Sequence, residues 1–373
     1  MMMLFAIISI MVVVGVNLTH SLVVSTITKR TLPLGSLKLA AETTSIDSQK
    51  ILLSSELEME EETSDEETVL RFQGVGRLFE NQIETGDSQT EKQTLSYTQV
   101  INKLQKSTVA IIGIGGVGSW AAESICRSGV GNIILLDLDD ICISNTNRQI
   151  HATSKSVGQM KTDVMKQRLL DINPKCNITL IHDFITQENV FDIIERLKGC
   201  SDPDDTNIKV DVIIDAIDGH VEKSALIAAA CIHNIPIITC GGAAGRLDPS
   251  QITCQDLSES IECKLLFWTK KKLRNQYRLF PNDDIKTKGK PRKWRIPAVY
   301  STEVQKKVNE NPSSSFRKCD GSLGTACFVT GTYGMIAASQ AVNMIAHDKY
   351  PKPRVIKSSV KFWSDARSLS IQT

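Results

Sequence analysis

No two of the ten cysteines are spaced as CxxC. That absence removes the strongest sequence sign of a structural zinc or of a thioredoxin-like redox pair, so neither is expected. Net charge is nearly absent too: 43 Lys and Arg against 42 Asp and Glu leave +1, and no global field marks the chain for a polyanionic partner. No internal repeat is visible. What charge there is lies in blocks. Residues 56–67 are mostly acidic, and residues 264–295 are densely basic, broken only by Asp283 and Asp284. Cys126, Cys142, Cys231 and Cys327 sit in apolar stretches and read as small buried hydrophobes in a reducing compartment.

No Lys, Arg, Asp or Glu occurs between Met1 and Thr28. A bilayer core needs about 20 apolar residues in a helix, so residues 1–30 are expected to be a membrane anchor. Lys29, Arg30 and Lys38 follow, and would hold the rest of the chain on the cytosolic side. A cleaved signal or organelle-targeting leader is the competing reading. Residues 31–68 read as a disordered acidic linker, 69–350 as the folded domain with a basic insertion at 264–297, and 351–373 as a basic tail.

Within the domain, short apolar runs alternate with helical spacing. Strands are expected at residues 108–112, 132–136, 178–181, 210–216, 236–239 and 250–256. Helices are expected at residues 116–127, 155–172, 190–197, 222–232 and 325–346. This rhythm predicts an α/β fold, a Rossmann-like, doubly wound, mostly parallel sheet with helices on both faces and an antiparallel C-terminal extension.

The glycines Gly113, Gly115, Gly116 and Gly118 form a GxGxxG between the first strand and its helix. Such a turn lets backbone N–H groups approach phosphates at a helix N-terminus. Asp137 ends the next strand, where a carboxylate holds ribose. Those two features alone would suggest an NAD-dependent dehydrogenase. The run from Ser144 to Gln149, with Asn145, Asn147 and Arg148, followed by Lys161, argues instead for a triphosphate. Asp218 closes the apolar run 212–218; it reads either as a Mg²⁺ ligand or as a helix N-cap. His151 reads equally as pocket lining or as packing.

These motifs (GIGGVG, DLDD, SNTNRQ, Lys161 and the Asp218 turn) resemble the adenylation domain shared by ubiquitin-activating enzymes and the adenylyltransferases of thiamine and molybdopterin biosynthesis. GIGGVGSWAAE, NTNRQIHA and GGAAGRLDPSQI are similar in particular to the tRNA threonylcarbamoyladenosine dehydratases. The resemblance implies ATP and Mg²⁺ as cofactors. It implies Gly113, Gly115, Gly116 and Gly118 against phosphate, Asp137 on ribose, Asn145, Asn147, Arg148 and Lys161 on the triphosphate, and Asp218 on Mg²⁺. In that family the segment opening the domain lends an arginine to the partner subunit. Arg77, ahead of Arg71, takes that part and implies a homodimer acting on tRNA that bears threonylcarbamoyladenosine. The alternative activity is adenylation of the C-terminal glycine of a ubiquitin-like or sulfur-carrier protein. By the same resemblance, the anchor would place the enzyme on the mitochondrial outer membrane, facing the cytosol. The chain departs from the family where Ala298, Val299 and Tyr300 precede Ser301-Thr302-Glu303 with no cysteine, and where residues 270–295 are more basic than expected. With Trp268, Tyr277 and Trp294 interleaved, that basic stretch reads as a contact for the tRNA backbone.

Overall fold

The computed structural model describes residues 65–80, 84–85, 93–199, 209–281, 292–305 and 323–370. In chain order the elements are α1 (Glu66–Phe79), the short strands β1 (Glu84–Thr85) and β2 (Gln93–Thr94), α2 (Tyr97–Lys106), β3 (Thr108–Ile112), α3 (Gly118–Arg127), β4 (Asn132–Leu136), α4 (Lys161–Ile172), β5 (Asn177–Ile181), α5 (Val190–Leu197), β6 (Val212–Asp215), α6 (His220–Ile232), β7 (Ile237–Cys240), β8 (Ile252–Asp256), α7 (Lys264–Asn275), β9 (Pro297–Ser301), α8 (Cys327–His347) and α9 (Lys357–Ser370).

Every residue of β3 is buried, as a parallel strand covered on both faces requires. Its side chains alternate between two separate cores. Val109 and Ile111 join one core with residues of α2, α3, α4 and α8, whereas Ala110 and Ile112 join the other with residues of α5, α6 and α7. The sheet has seven strands in the order β5-β4-β3-β6-β7-β9-β8. All neighbours are parallel except β8 and β9, which pair antiparallel. The doubly wound α/β architecture with an antiparallel C-terminal addition is therefore present. The chain winds outward from β3 to β5, then resumes at β6 on the other side of β3. The crevice between the carboxyl ends of β3 and β6 is the switch point where such sheets take ligands.

Against α3 lies α8, contributed from more than two hundred residues further along the chain. A Cβ at Gly334 would stand 2.6 Å from the Val117 carbonyl oxygen and 2.7 Å from the Ala121 nitrogen, so the two helix backbones touch there.

Several boundaries differ from the sequence reading. Helix α1 starts at Glu66, capped by the Asp65 side chain on Thr68 N–H at 3.1 Å, ahead of the expected onset of order near residue 69. The helix expected from residue 155 begins at Lys161, because residues 153–159 are held in turns by Ser156 and Thr153. Helix α7 occupies the first part of the stretch read as basic insertion, and strand β9 begins at its last residue. The aromatics of that stretch are not all available to an RNA. Tyr277 and Trp294 are 4% and 1% exposed, and Trp294 stacks on Phe280 with centroids 4.0 Å apart; only Trp268 faces solvent.

The expected membrane anchor at residues 1–30 lies outside the described residues. Among the described residues no helix is long and apolar enough to cross a membrane. The longest, α8, carries Thr330, Thr332, Ser339, Gln340 and Asn343, and packs its apolar side into the protein core. The expectation of a transmembrane helix is therefore withdrawn.

Gly334→Ala is expected to lower stability by about 1–3 kcal/mol, since the new methyl would meet the Val117 carbonyl oxygen, the Ala121 nitrogen and Trp120 Cβ, none of which can swing aside. Urea unfolding measures this, and an unchanged midpoint would rule out the backbone contact between α3 and α8.

Candidate active site

The turn after β3 is built by two glycines for two different reasons. Gly113 has φ of +89°, a left-handed conformation that side chains resist, and its N–H is held by the Leu136 carbonyl at 2.8 Å. At Gly118 a Cβ would fall 1.8 Å from the Gly113 carbonyl oxygen. Helix α3 begins directly after this turn with no side-chain cap, and around Gly115 there is open space. Uncapped N–H groups beside an open glycine form a cradle for anionic oxygen.

Asp137 couples the cradle to the next strand. One of its carboxylate oxygens accepts from Ile114 N–H at 2.6 Å, inside the glycine turn, and the other accepts from Asp139 N–H at 2.9 Å. Lys161, the first residue of α4, is 6% exposed. Its ammonium sits 2.6 Å from Asp139 and 3.9 Å from Asp137. Lys161 is therefore engaged by the carboxylates that follow β4, and would have to part from Asp139 to meet a phosphate.

Arg148 reaches the cradle from the opposite side. Its carbonyl accepts from Trp120 Nε1 on α3 at 3.0 Å and from Thr330 Oγ1 on α8 at 3.1 Å. The stem passes 3.5 Å from where a Gly116 Cβ would stand. The guanidinium donates to the Ser144 carbonyl at 2.7 Å and to Asn147 Oδ1 at 3.0 Å. The two asparagines serve this loop. Asn147 donates to the Thr325 carbonyl at 3.0 Å. Asn145 is buried and accepts from Cys142 N–H at 3.0 Å, closing a short 3₁₀ turn.

Asp218 is exposed just beyond the carboxyl end of β6. The sequence reading passed over the residues behind it. Asp215, fully buried, pairs with the equally buried Lys223 at 2.8 Å, accepts from Thr239 Oγ1 at 2.7 Å, and accepts from Ile217 N–H at 3.1 Å. The available signal was an acidic residue inside an apolar strand, with a lysine inside an apolar helix shortly after. Among the described residues no group of three His, Cys, Asp or Glu side chains is placed to hold a metal ion. A cation at Asp218 would therefore draw its remaining ligands from phosphate and water, as Mg²⁺ commonly does.

The other candidates are dispersed. Arg71 is bound within its own chain, to the Ile172 carbonyl at 2.9 Å and to Glu67 at 2.7 Å. Arg77 is exposed, its guanidinium 5.6 Å from the Tyr97 ring centroid, away from the glycine turn. Cys126 and Cys231 are buried as expected, but Cys142 and Cys327 are exposed, because each stands at the start of a helical turn bordering the crevice. A cavity of about 600 Å³ lined by Asp256, Arg295, Pro297, Gln340 and Lys352 lies at the β8 edge, by the amino end of β9. It is at the wrong end of the strands for the ligand of this fold.

His151 is 2% exposed, and neither ring nitrogen has a hydrogen-bond partner. Burial, with Lys161 and Arg168 nearby, pulls its pKa from 6.5 down to about 4. The unfolded chain therefore binds a proton between those values that the folded chain refuses. Stability is full above about pH 6.5 and falls as pH drops toward 4, by up to about 3 kcal/mol from this group. Denaturant titrations at pH 7 and pH 4.5 should show the loss, and His151→Gln should shrink the difference between them.

A profile of the ThiF family matches residues 88–367. The tRNA threonylcarbamoyladenosine dehydratase of Haemophilus influenzae is 37% identical over 282 residues, 75% of this chain and 94% of that protein. Its counterpart in Escherichia coli is 37% identical over 246 residues, 63% of this chain and 84% of that protein. The crystal structure of the Escherichia coli enzyme in complex with ATP superposes with a TM-score of 0.60 at 32% identity, covering 75% of this chain and 96% of that one. The sulfur carrier protein ThiS adenylyltransferase of Escherichia coli is more distant in extent, 34% identical over only 39% of this chain. The two dehydratases come from bacteria, which have no mitochondrial outer membrane. With no membrane-crossing helix among the described residues, the expected mitochondrial, membrane-anchored placement is withdrawn as well.

Proposed function

The chain belongs to the ThiF family, and from that premise we propose that it uses ATP to dehydrate threonylcarbamoyladenosine in tRNA. The observation that carries this reading is the convergence at the switch point. Arg148, clamped by α3 and α8, lies over the glycine turn, and Asp137 fixes that turn from the ribose side. These residues lie within a domain that aligns along nearly all of a dehydratase.

In the proposed reaction the threonyl carboxylate attacks the α-phosphorus of ATP and pyrophosphate leaves, giving an acyl-adenylate. The neighbouring carbamoyl group then closes a ring on the activated carbonyl, AMP departs with the former carboxylate oxygen, and one proton is released. The nucleophile is carried by the substrate and held close, so no strong protein base is needed. The chain's own part is charge stabilisation. The N–H groups at the start of α3 face the phosphates, and Arg148 and Lys161 neutralise charge as it builds on the transferring oxygens. Asn145 and Asn147 hold the Arg148 loop in shape. Mg²⁺, held by Asp218 together with phosphate oxygens, would neutralise the remaining phosphate charge. Arg77, exposed on α1, is offered to the site of a second subunit in a homodimer.

Incubating the protein with ATP, Mg²⁺ and tRNA bearing threonylcarbamoyladenosine should yield a nucleoside lighter by one water, detected by mass spectrometry only when ATP is present. Turnover of ATP with an unchanged nucleoside would transfer the activity to another acyl substrate. Arg148→Ala should slow the reaction by about 10²- to 10³-fold, the usual loss on removing one preorganised donor; unchanged turnover would sink the assignment of the ATP site. For Arg77 the test is complementation. Arg77→Ala and Arg148→Ala proteins, each weak alone, should regain activity when mixed, and no recovery would argue against an arginine shared between subunits.

A further inference from the structure

The amphipathic helix α7 is built with an unusual outer face. Leu266, Thr269 and Leu273 point into the core. At helical spacing on the other side, Lys264, Phe267, Trp268, Lys271 and Asn275 are exposed. Phe267 and Trp268 are 58% and 45% exposed and meet edge to face, with centroids 5.3 Å apart. The Lys271 ammonium lies 4.9 Å from the centre of the Trp268 ring. No Asp or Glu occurs anywhere from Lys264 to Arg278. Trp120 and Trp363 are half-buried and Trp294 is buried, so Trp268 is the tryptophan the fold leaves open to solvent.

Trp268 also stands next to the candidate active site. Its ring centroid is 6.3 Å from that of His220, the first residue of α6 and two positions beyond Asp218. The aromatic pair therefore borders the turn that carries the carboxylate at the mouth of the crevice.

Building on the proposed reaction, we propose that the Lys264–Phe267–Trp268–Lys271 face of α7 is the platform that receives the substrate RNA, with Trp268 stacking on an unpaired base near the modified adenosine. Proteins read single-stranded RNA this way, by stacking bases on aromatic rings while cations hold the backbone. Two large exposed aromatics side by side mark a binding surface, and the surrounding charge selects the partner. A second copy of the chain is the poorer fit, because a two-fold contact through this face would bring two identical lysine-bearing, carboxylate-free surfaces together. A polyanion meets the same lysines with complementary charge. The location adds a constraint that a dispersed basic surface lacks: a base stacked on Trp268 leaves its neighbour within reach of the β6–α6 turn.

The test uses the full chain and tRNA bearing threonylcarbamoyladenosine, comparing wild type with Trp268→Ala, Trp268→Phe and Lys271→Glu. Trp268→Ala should raise KM for tRNA about ten-fold or more, as loss of one stacked base does, with ATP affinity unchanged, and Trp268→Phe should recover most of the loss. Lys271→Glu, which lies away from His220, should weaken tRNA binding and flatten its dependence on salt. Unaltered tRNA affinity in both Trp268→Ala and Lys271→Glu would overturn the platform. So would a loss of ATP affinity in Trp268→Ala, which would reveal a packing role beside the Asp218 turn. A changed oligomeric state by light scattering, with tRNA affinity intact, would reassign the face to a contact between copies. If wild type leaves the nucleoside unchanged while Trp268→Ala still weakens tRNA binding, the reaction is wrong and the platform stands.

Discussion

A carbonyl and a missing methyl set the geometry on which the site depends. Gly118 approaches the Gly113 carbonyl so closely that a Cβ would overlap it at 1.8 Å. That approach lets α3 start at Gly118, one tight turn beyond the end of β3, with no side-chain cap on its first N–H groups. Any side chain there would push the helix away from the sheet, and the anion cradle would open. The bond from Ile114 N–H to Asp137 at 2.6 Å then ties the turn to the end of β4. The turn is thus specified twice, by the absence of atoms at Gly118 and by a carboxylate at Asp137.

The other half of the site arrives from the far end of the sequence. Arg148 sits in a loop whose position is not fixed by the sheet, and Thr330 and Trp120 hold its carbonyl between them. Thr330 can reach it only because α8 lies in backbone contact with α3 at Gly334. The small residues of α8 therefore have a purpose beyond filling the core. They bring a C-terminal helix close enough to seat an arginine that belongs to the nucleotide-binding half.

What the sequence made legible follows from how each element is stabilised. Strands β3, β4 and β6 were readable because a parallel strand buried on both faces is a continuous apolar run with few other meanings. Helices α1 and α2 were harder. Their buried residues, such as Phe72, Phe79, Val100 and Leu104, are sparse among polar neighbours, and their helicity rests on capping by Asp65 and Ser96 and on packing against each other. In the basic insertion, charge masked a periodic apolar stripe, so helix α7 was not anticipated and the buried Trp294 was read as part of an RNA contact. Within the site the glycines, Asp137 and Arg148 were found by motif. The roles of Asn145 and Asn147 as loop supports were not, because an asparagine that shapes a turn and one that meets phosphate look alike in sequence.

The buried Asp215–Lys223 pair fixes the turn that lies between the candidate site and the exposed Trp268 face. Removing two charges from water costs about as much as their attraction returns, so such a pair adds little net stability, and an apolar substitute would serve the core as well. Its value lies in direction. Thr239 on β7 and Lys223 on α6 both engage the same Asp215 oxygen, while the other oxygen accepts from Ile217 N–H. Those three contacts fix where β6 ends, where α6 starts, and hence where Asp218 and His220 stand. An apolar pair would leave the Ile217 N–H without that acceptor and the turn free to vary. A turn that presents a carboxylate to the crevice on one side and packs against Trp268 on the other cannot drift without disturbing both, and a directional, buried anchor is what holds it.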